Sequence, residues 1–176
     1  MGLTQNNPDK PAKLSRSERK FIEKAAIGGM FEVEAARLAE QKASDPQVKQ
    51  FAAKLMEQHQ QANDELKQIA DARGVTLPTQ LPSKEQRKID DLAKQSGQKF
   101  DEEFLKTAGR KDHQEDIKDF EKARRDTKDP RLQAWIDKTL PTLHTHLAEA
   151  QSLSDKARMQ GYTGGSGSAP APSGTS

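Results

Sequence analysis

The sequence predicts an all-α fold, a single bundle of four long helices, and three observations carry that prediction. The first is composition. A chain of 176 residues is the size of one domain, and it is only 32% hydrophobic and equally 32% charged, with a mean hydropathy of −0.99. Such a chain buries narrow apolar stripes more readily than a layered α/β core. One Tyr and one Trp among many Ala, Lys, Glu and Gln favour helix over sheet. The second is periodicity, with apolar residues recurring at the 3.6-residue helical repeat along most of the chain. The third is a set of helix-start signals, each followed by a periodic stretch of about the same length.

Residues 1–14 are polar, hold two prolines, and are expected to form a disordered tail. Ser15 and Glu18 match a capping box, in which a serine oxygen and the glutamate each satisfy a free backbone N–H. The first long helix follows, to about Ala43. Asp45-Pro46 places a capping carboxylate before proline at the first helical position, and the second helix runs from there to Gly74. Val75 to Pro82 holds two prolines and reads as a connection. Ser83 with Gln86 starts a short helix that fades near Gly97. The third long helix spans about Phe100 to Thr127. Asp129-Pro130 repeats the proline cap and opens the fourth, which ends near Gln160-Gly161. The bundle domain is thus 15–160, and 161–176, rich in Gly, Ser, Pro and Ala, is expected to be a disordered tail. Rods of roughly 27–30 residues are about 40–45 Å long at 1.5 Å per residue. Two tight hairpins joined by one long crossover containing a short helix is the ferritin-like arrangement.

Several function classes are disfavoured. There is no apolar run of membrane-spanning length. Cysteine is absent, which removes disulfides, thiolate catalysis and Cys-based metal sites. The 29 basic and 27 acidic residues give a net charge of +2 and interleave closely. The pairs Arg124-Arg125 and Arg110-Lys111 lack aromatic neighbours, so no nucleic-acid partner is expected. No Ser–His–Asp order, glycine-rich phosphate loop or paired catalytic acid stands out, and the reading leans away from an enzyme. Met1-Gly2-Leu3 runs directly into polar residues without a leader, a start compatible with removal of one.

The informative residues are polar side chains on the apolar faces. At 100° per residue, Glu32 falls inside the stripe of the first helix, set by Phe21, Ala25, Gly28, Ala36 and Ala39. His59 lies at the centre of the second, between Leu55 and Leu66. His113 and Asp116 lie inside the third, with Leu105, Ile117 and Phe120, and His146 lies inside the fourth, near Leu143 and Ala150. His144 projects to the opposite side. Counting from the two hairpin turns puts Glu32, His59, His113 and His146 within about 8 Å along the bundle axis. Two readings fit. One is a single transition-metal ion, Zn, Cu or Fe, held by the imidazoles with Glu32 or Asp116, and Met56 could offer copper a soft donor. The other is a metal-free polar core in which Glu32 and Asp116 are ionised partners of the histidines. Gly28 and Gly29 either leave room at mid-bundle or allow close helix packing.

The succession Glu32, Ala39, Phe51-Ala52, Met56-x-x-His59, Asn63, Gly74, Phe100-Asp101, His113-x-x-Asp116, Phe120, Leu140-Pro141 and His146-Leu147-x-x-Ala150 resembles a bacterial family of unknown function. Its members are often labelled outer-membrane or envelope proteins with a ferritin-like bundle. The resemblance covers about residues 18–158, and Leu140-Pro141-x-x-x-x-His146-Leu147 is its most distinctive segment. It implies a periplasmic or cell-envelope setting and supplies no activity. Di-iron bundles carry Glu-x-x-His pairs, but the residues three before the histidines here are Met56, Arg110 and Leu143, so one nitrogen-rich site suits the residues better. The expected function is therefore an envelope bundle binding one metal ion for storage, buffering or stress protection. A structural or interaction bundle with a metal-free core and a metal-dependent enzyme stay open as alternatives, and so does a homo-oligomer.

Overall fold

A computed structural model describes residues 13–165, with side chains from 13 to 160, and every regular element among them is helical. The first helix, α1 (Arg16–Lys42), starts at the expected capping box. Ser15 Oγ accepts from the Glu18 amide at 3.1 Å, and Glu18 Oε1 accepts from the Ser15 amide at 2.7 Å. The other Glu18 oxygen accepts from the Thr127 hydroxyl and the Lys128 amide, so one cap also ties down a distant turn. Leu14, assigned to the tail by its neighbours' polarity, is buried in the core. Order therefore begins earlier than composition suggests, because one apolar side chain there finds a packing site.

Helix α2 (Pro46–Ala72) is capped by Asp45, whose carboxylate accepts from the Gln47 amide. Gly74 then takes the left-handed conformation, φ 73°, in which a side chain would be strained. The short α3 (Ser83–Ala93) follows Pro82, and Ser83 is its first residue rather than its cap. The third rod begins three residues before the expected Phe100 and is not uniform. It runs as α4 (Gly97–Phe104), a π-helical segment Leu105–Lys111, and α5 (Asp112–Asp126). Asp101 on α4 accepts from the Ser44 amide, the Ser44 hydroxyl and the Asp45 amide, so its buried carboxylate clamps the α1–α2 turn. The last helix, α6 (Pro130–Gly165), starts on Asp129, which accepts from the Arg131 and Leu132 amides and pairs with the buried Arg73 at 2.6 Å. It continues past the expected end at 160–161, so residues 161–165 are helical rather than tail. Extending a long helix by a few residues costs far less than starting one. The rest of the expected tails, 1–12 and 166–176, lies outside the described residues.

The four rods form a bundle. α1 packs on α2, α5 on α6, α2 on α6, and α1 on α5, with α3 laid against α1 and α4. Cross-helix pairs run in opposite order, Lys54 with Glu149 and Glu65 with Lys138, so α2 and α6 are antiparallel. The connection from Arg73 to Ser96 therefore travels the length of the bundle, as the long crossover requires. Two apolar clusters fill the interior. One, the upper cluster, around Phe31, Phe51, Leu55, Phe100 and Phe104, lies at the end of the α1–α2 turn. The other, the lower cluster, around Ile22, Leu66, Phe120, Trp135 and Leu143, lies at the opposite end. Between them sits a layer of buried polar side chains.

Candidate metal centre

Each rod contributes one fully or almost fully buried polar residue to this layer: Glu32 from α1, His59 from α2, His113 from α5 and His146 from α6. The three histidines each present a ring nitrogen, and these atoms lie within 4.8 Å of one another. His59 Nε2 is 3.4 Å from His113 Nε2, and His113 Nε2 is 3.3 Å from His146 Nδ1. Helical periodicity places the rings here, and outward hydrogen bonds fix the tautomers of His113 and His146. His113 Nδ1 donates to the Ala108 carbonyl at 2.8 Å. That carbonyl belongs to the π-helical segment, where the Asp112 amide bonds five residues back to Thr107. His146 Nε2 donates to Gln58 Oε1 at 2.5 Å. With both protons turned outward, His113 Nε2 and His146 Nδ1 face each other as bare lone pairs. Among the described residues nothing pins the proton of His59, whose Nε2 either brings one proton to the cluster or, with the proton on Nδ1, adds a third lone pair.

Electrostatics agree with neutral rings. Burial pushes His59 well below the usual imidazole range, with His113 and His146 adding to the effect. Burial lowers His113 to about 4, His146 reinforcing it while the Ala108 carbonyl and Asp112 oppose it. Burial and then Lys54 lower His146 to about 4. Three neutral imidazoles, two with lone pairs turned inward and His59 joining them once its proton sits on Nδ1, are a cation-binding donor set. Metal–nitrogen bonds of about 2.0–2.1 Å in a tetrahedral shell place neighbouring nitrogens about 3.3–3.4 Å apart, which matches the two shortest separations. The outward bonds of His113 and His146 are also the kind that orient metal-ligating histidines.

The carboxylates are placed differently. Glu32 Oε2 lies 3.8 Å from His113 Nδ1, the nitrogen already donating to Ala108. Neither Glu32 oxygen has a donor, and neither does Asp112 Oδ2. Burial, then the charge and hydrogen bonding of Asp112, then Asp116, hold Glu32 well above the usual carboxylate range. As two carboxylates these groups have nothing to donate, whereas a proton on Glu32 converts them into an O–H···O pair. Asp116 is outside the trihistidine cluster and packs over α1 at Gly28, where a Cβ would sit 3.3 Å from Oδ1. Burial first, then Asp112, Asp119 and Glu115, hold it well above its ordinary value, against the pull of Lys24. The expectation of ionised Glu32 and Asp116 paired with the histidines is thus reversed. Both favour the neutral acid, because burial and like charges outweigh any cation within reach.

Other expectations fall into place. His144 is 56% exposed, beside Glu121. Gly28 and Gly29 serve close approach, since a Cβ on Gly29 would meet Asn63 Oδ1 of α2 at 1.9 Å. Met56 packs against the upper apolar cluster. Three contributors were not foreseen: Gln58, the Ala108 carbonyl and Asp112. Gln58 precedes His59 by one residue, so periodicity turns it off the stripe, and only the α2–α6 spacing brings its amide to His146. The Ala108 carbonyl depends on π-helical geometry that no residue pattern announces. Asp112, adjacent to His113, was the most readable of the three.

Among the described residues, no helix is long and apolar enough to cross a membrane. No curated protein sequence matches the chain. Among solved structures the fold is similar to a DUF305 fragment from Deinococcus radiodurans, at 9% identity and a TM-score of 0.73, over 82% of this chain and 99% of that one. It is also similar to CopM in its Cu(I)-bound form, at 18% identity and a TM-score of 0.67, over 79% of this chain and 96% of that one. At such identities the likeness speaks for the helical fold alone. The family profile that matches residues 3–153 covers most of the chain, and the protein belongs to DUF4142, a family defined by a domain of unknown function.

Proposed function

We propose that this protein binds one transition-metal ion through His59, His113 and His146, as a storage, buffering or stress-protection protein of the cell envelope. The observation that carries the reading is the arrangement of the three ring nitrogens. Two separations of 3.3 and 3.4 Å match a shared metal ion, and the outward hydrogen bonds of His113 and His146 turn their lone pairs rather than protons toward the centre. Neutral nitrogen donors suit Zn²⁺ or copper, and Fe²⁺ less well without a carboxylate in the shell. The structural neighbour described as Cu(I)-bound supports a metal-binding use of this fold. Glu32 stands behind His113 and, on losing its proton, offsets part of the charge that a cation brings into the interior. Asp116 has no place in the shell in this reading.

Elemental analysis of untagged protein, before and after chelation, tests it. The expected result is about one ion per chain after loading with zinc or copper, from a shell of three protein nitrogens and one further ligand. Less than a tenth of an ion per chain would favour the metal-free polar core instead, with His59 donating its single proton across the cluster.

A further inference from the structure

The trihistidine centre is closed on most sides. His113 is fully buried against α1, with Glu32 behind it. Phe51 packs edge-on against His146 from the upper cluster, and Leu143 belongs to the lower one. Between α2 and α6, however, a pocket of about 110 Å³ has both His59 and His146 in its wall. Gln58, Ala62, Thr139 and Thr142 line it further, and the Glu65–Lys138 ion pair spans the same two helices beside it. At about 10–15 Å³ of accessible volume for one water, this space has room for several. Its lining is mixed: Ala62, Leu143 and aliphatic stems make up the larger share, and the hydroxyls of Thr139 and Thr142 and the amide of Gln58 distinguish it from the apolar clusters above and below.

Resting on the metal-binding reading above, we infer that the α2–α6 pocket is the route by which the ion is exchanged, and that the fourth coordination position opens into it. Three protein nitrogens leave a tetrahedral ion one ligand short, and a water or small anion in the pocket supplies it. Gln58 has a double role: its Oε1 orients His146, and its side chain forms part of the pocket wall. The ligand class is therefore a small, monodentate donor such as water, chloride or azide. A bulky chelating side chain from a partner protein does not fit through the pocket.

The test uses Co²⁺ as a spectroscopic probe and azide as the external ligand, on the full chain. In the wild type, azide should change the d–d absorption of the Co²⁺-loaded protein. Thr142→Phe fills the pocket from α6, and it should slow both uptake of Co²⁺ and its release to a chelator at least about tenfold. Uptake and release slow together, so the dissociation constant stays within about threefold, and the azide response is lost. Glu65→Ala removes the bridging ion pair without adding bulk and should speed exchange, a second readout should Thr142→Phe fold poorly. Lys118→Phe, on the opposite α5 surface, should exchange like the wild type. If the wild type takes up Co²⁺ but neither pocket variant alters exchange and azide has no effect, the route is wrong while the metal site stands. If the wild type takes up no Co²⁺, Zn²⁺ or copper, the metal reading fails and this inference with it.

Discussion

Glu32 is the residue whose state most separates the two chemistries open to the polar layer. Its carboxyl is fully buried, lacks a hydrogen-bond donor, and is held above its ordinary value by burial and Asp112. A group with a raised folded pKa binds its proton more tightly in the native than in the unfolded state. Its stabilisation is complete below the unfolded value of about 4.5 and is lost as pH rises toward the folded value. Glu32→Gln, which keeps the shape of the neutral acid, should therefore be increasingly more stable than the metal-free wild type from pH 5 to pH 8. Urea melts of both proteins across that range check this, and a difference independent of pH would mean that Glu32 is ionised in the fold. The histidines act with the opposite sign. His113 and His146, lowered to about 4, are neutral in the native state while the unfolded chain protonates near 6.5. The metal-free protein should thus lose stability as pH falls from about 6.5 to about 4, and His146→Gln should flatten that loss. An unchanged acid limb in the variant would remove His146 from the cause.

At the scale of the element, what could be read from the sequence and what could not divide along a physical line. The capping box at Ser15 and Glu18 and the proline caps at Asp45 and Asp129 are local chemistry, and each stands where its residues predict. Stripe positions are also local, which is why Glu32, His59, His113 and His146 were legible as inward-facing. The π-helical segment was not. It depends on how α4 and α5 fit against α6, where Gly109 approaches so closely that an added Cβ would lie 2.7 Å from the Ala150 Cβ. Gly109→Ala should cost about 1–3 kcal/mol by forcing the rods apart, and Ala150→Gly in the same chain should recover part of that. Denaturant unfolding of the two single variants and the double variant checks this; simple additivity would mean that the two residues do not meet. Leu143, 1% exposed at the centre of α6, gives a simpler test of the lower core. Leu143→Ala should cost about 2–5 kcal/mol through lost burial and a cavity. A loss below about 1 kcal/mol would contradict the packing of that face.

Across the whole molecule, the polar layer joins both hairpins. His59 comes from the first, and His113 and His146 come from the second. A cation at their centre therefore ties together rods that the chain connects only through the long crossover. That convergence was legible from turn positions and helical rise alone. The choice among carboxylates was not, because the protonation of Glu32 and the displacement of Asp116 onto Gly28 depend on neighbours from other helices. An ion bound only by the native state stabilises it by about 2.7 kcal/mol when its free concentration is a hundred times the dissociation constant. The most direct measurement is the melting temperature of the untagged protein with and without Zn²⁺ or copper, compared with His59→Ala, His146→Ala and His144→Ala. The account predicts a clear rise for the wild type and for His144→Ala, and none for His59→Ala or His146→Ala. A melting curve unmoved by metal, or a His144→Ala variant as impaired as His146→Ala, would contradict it.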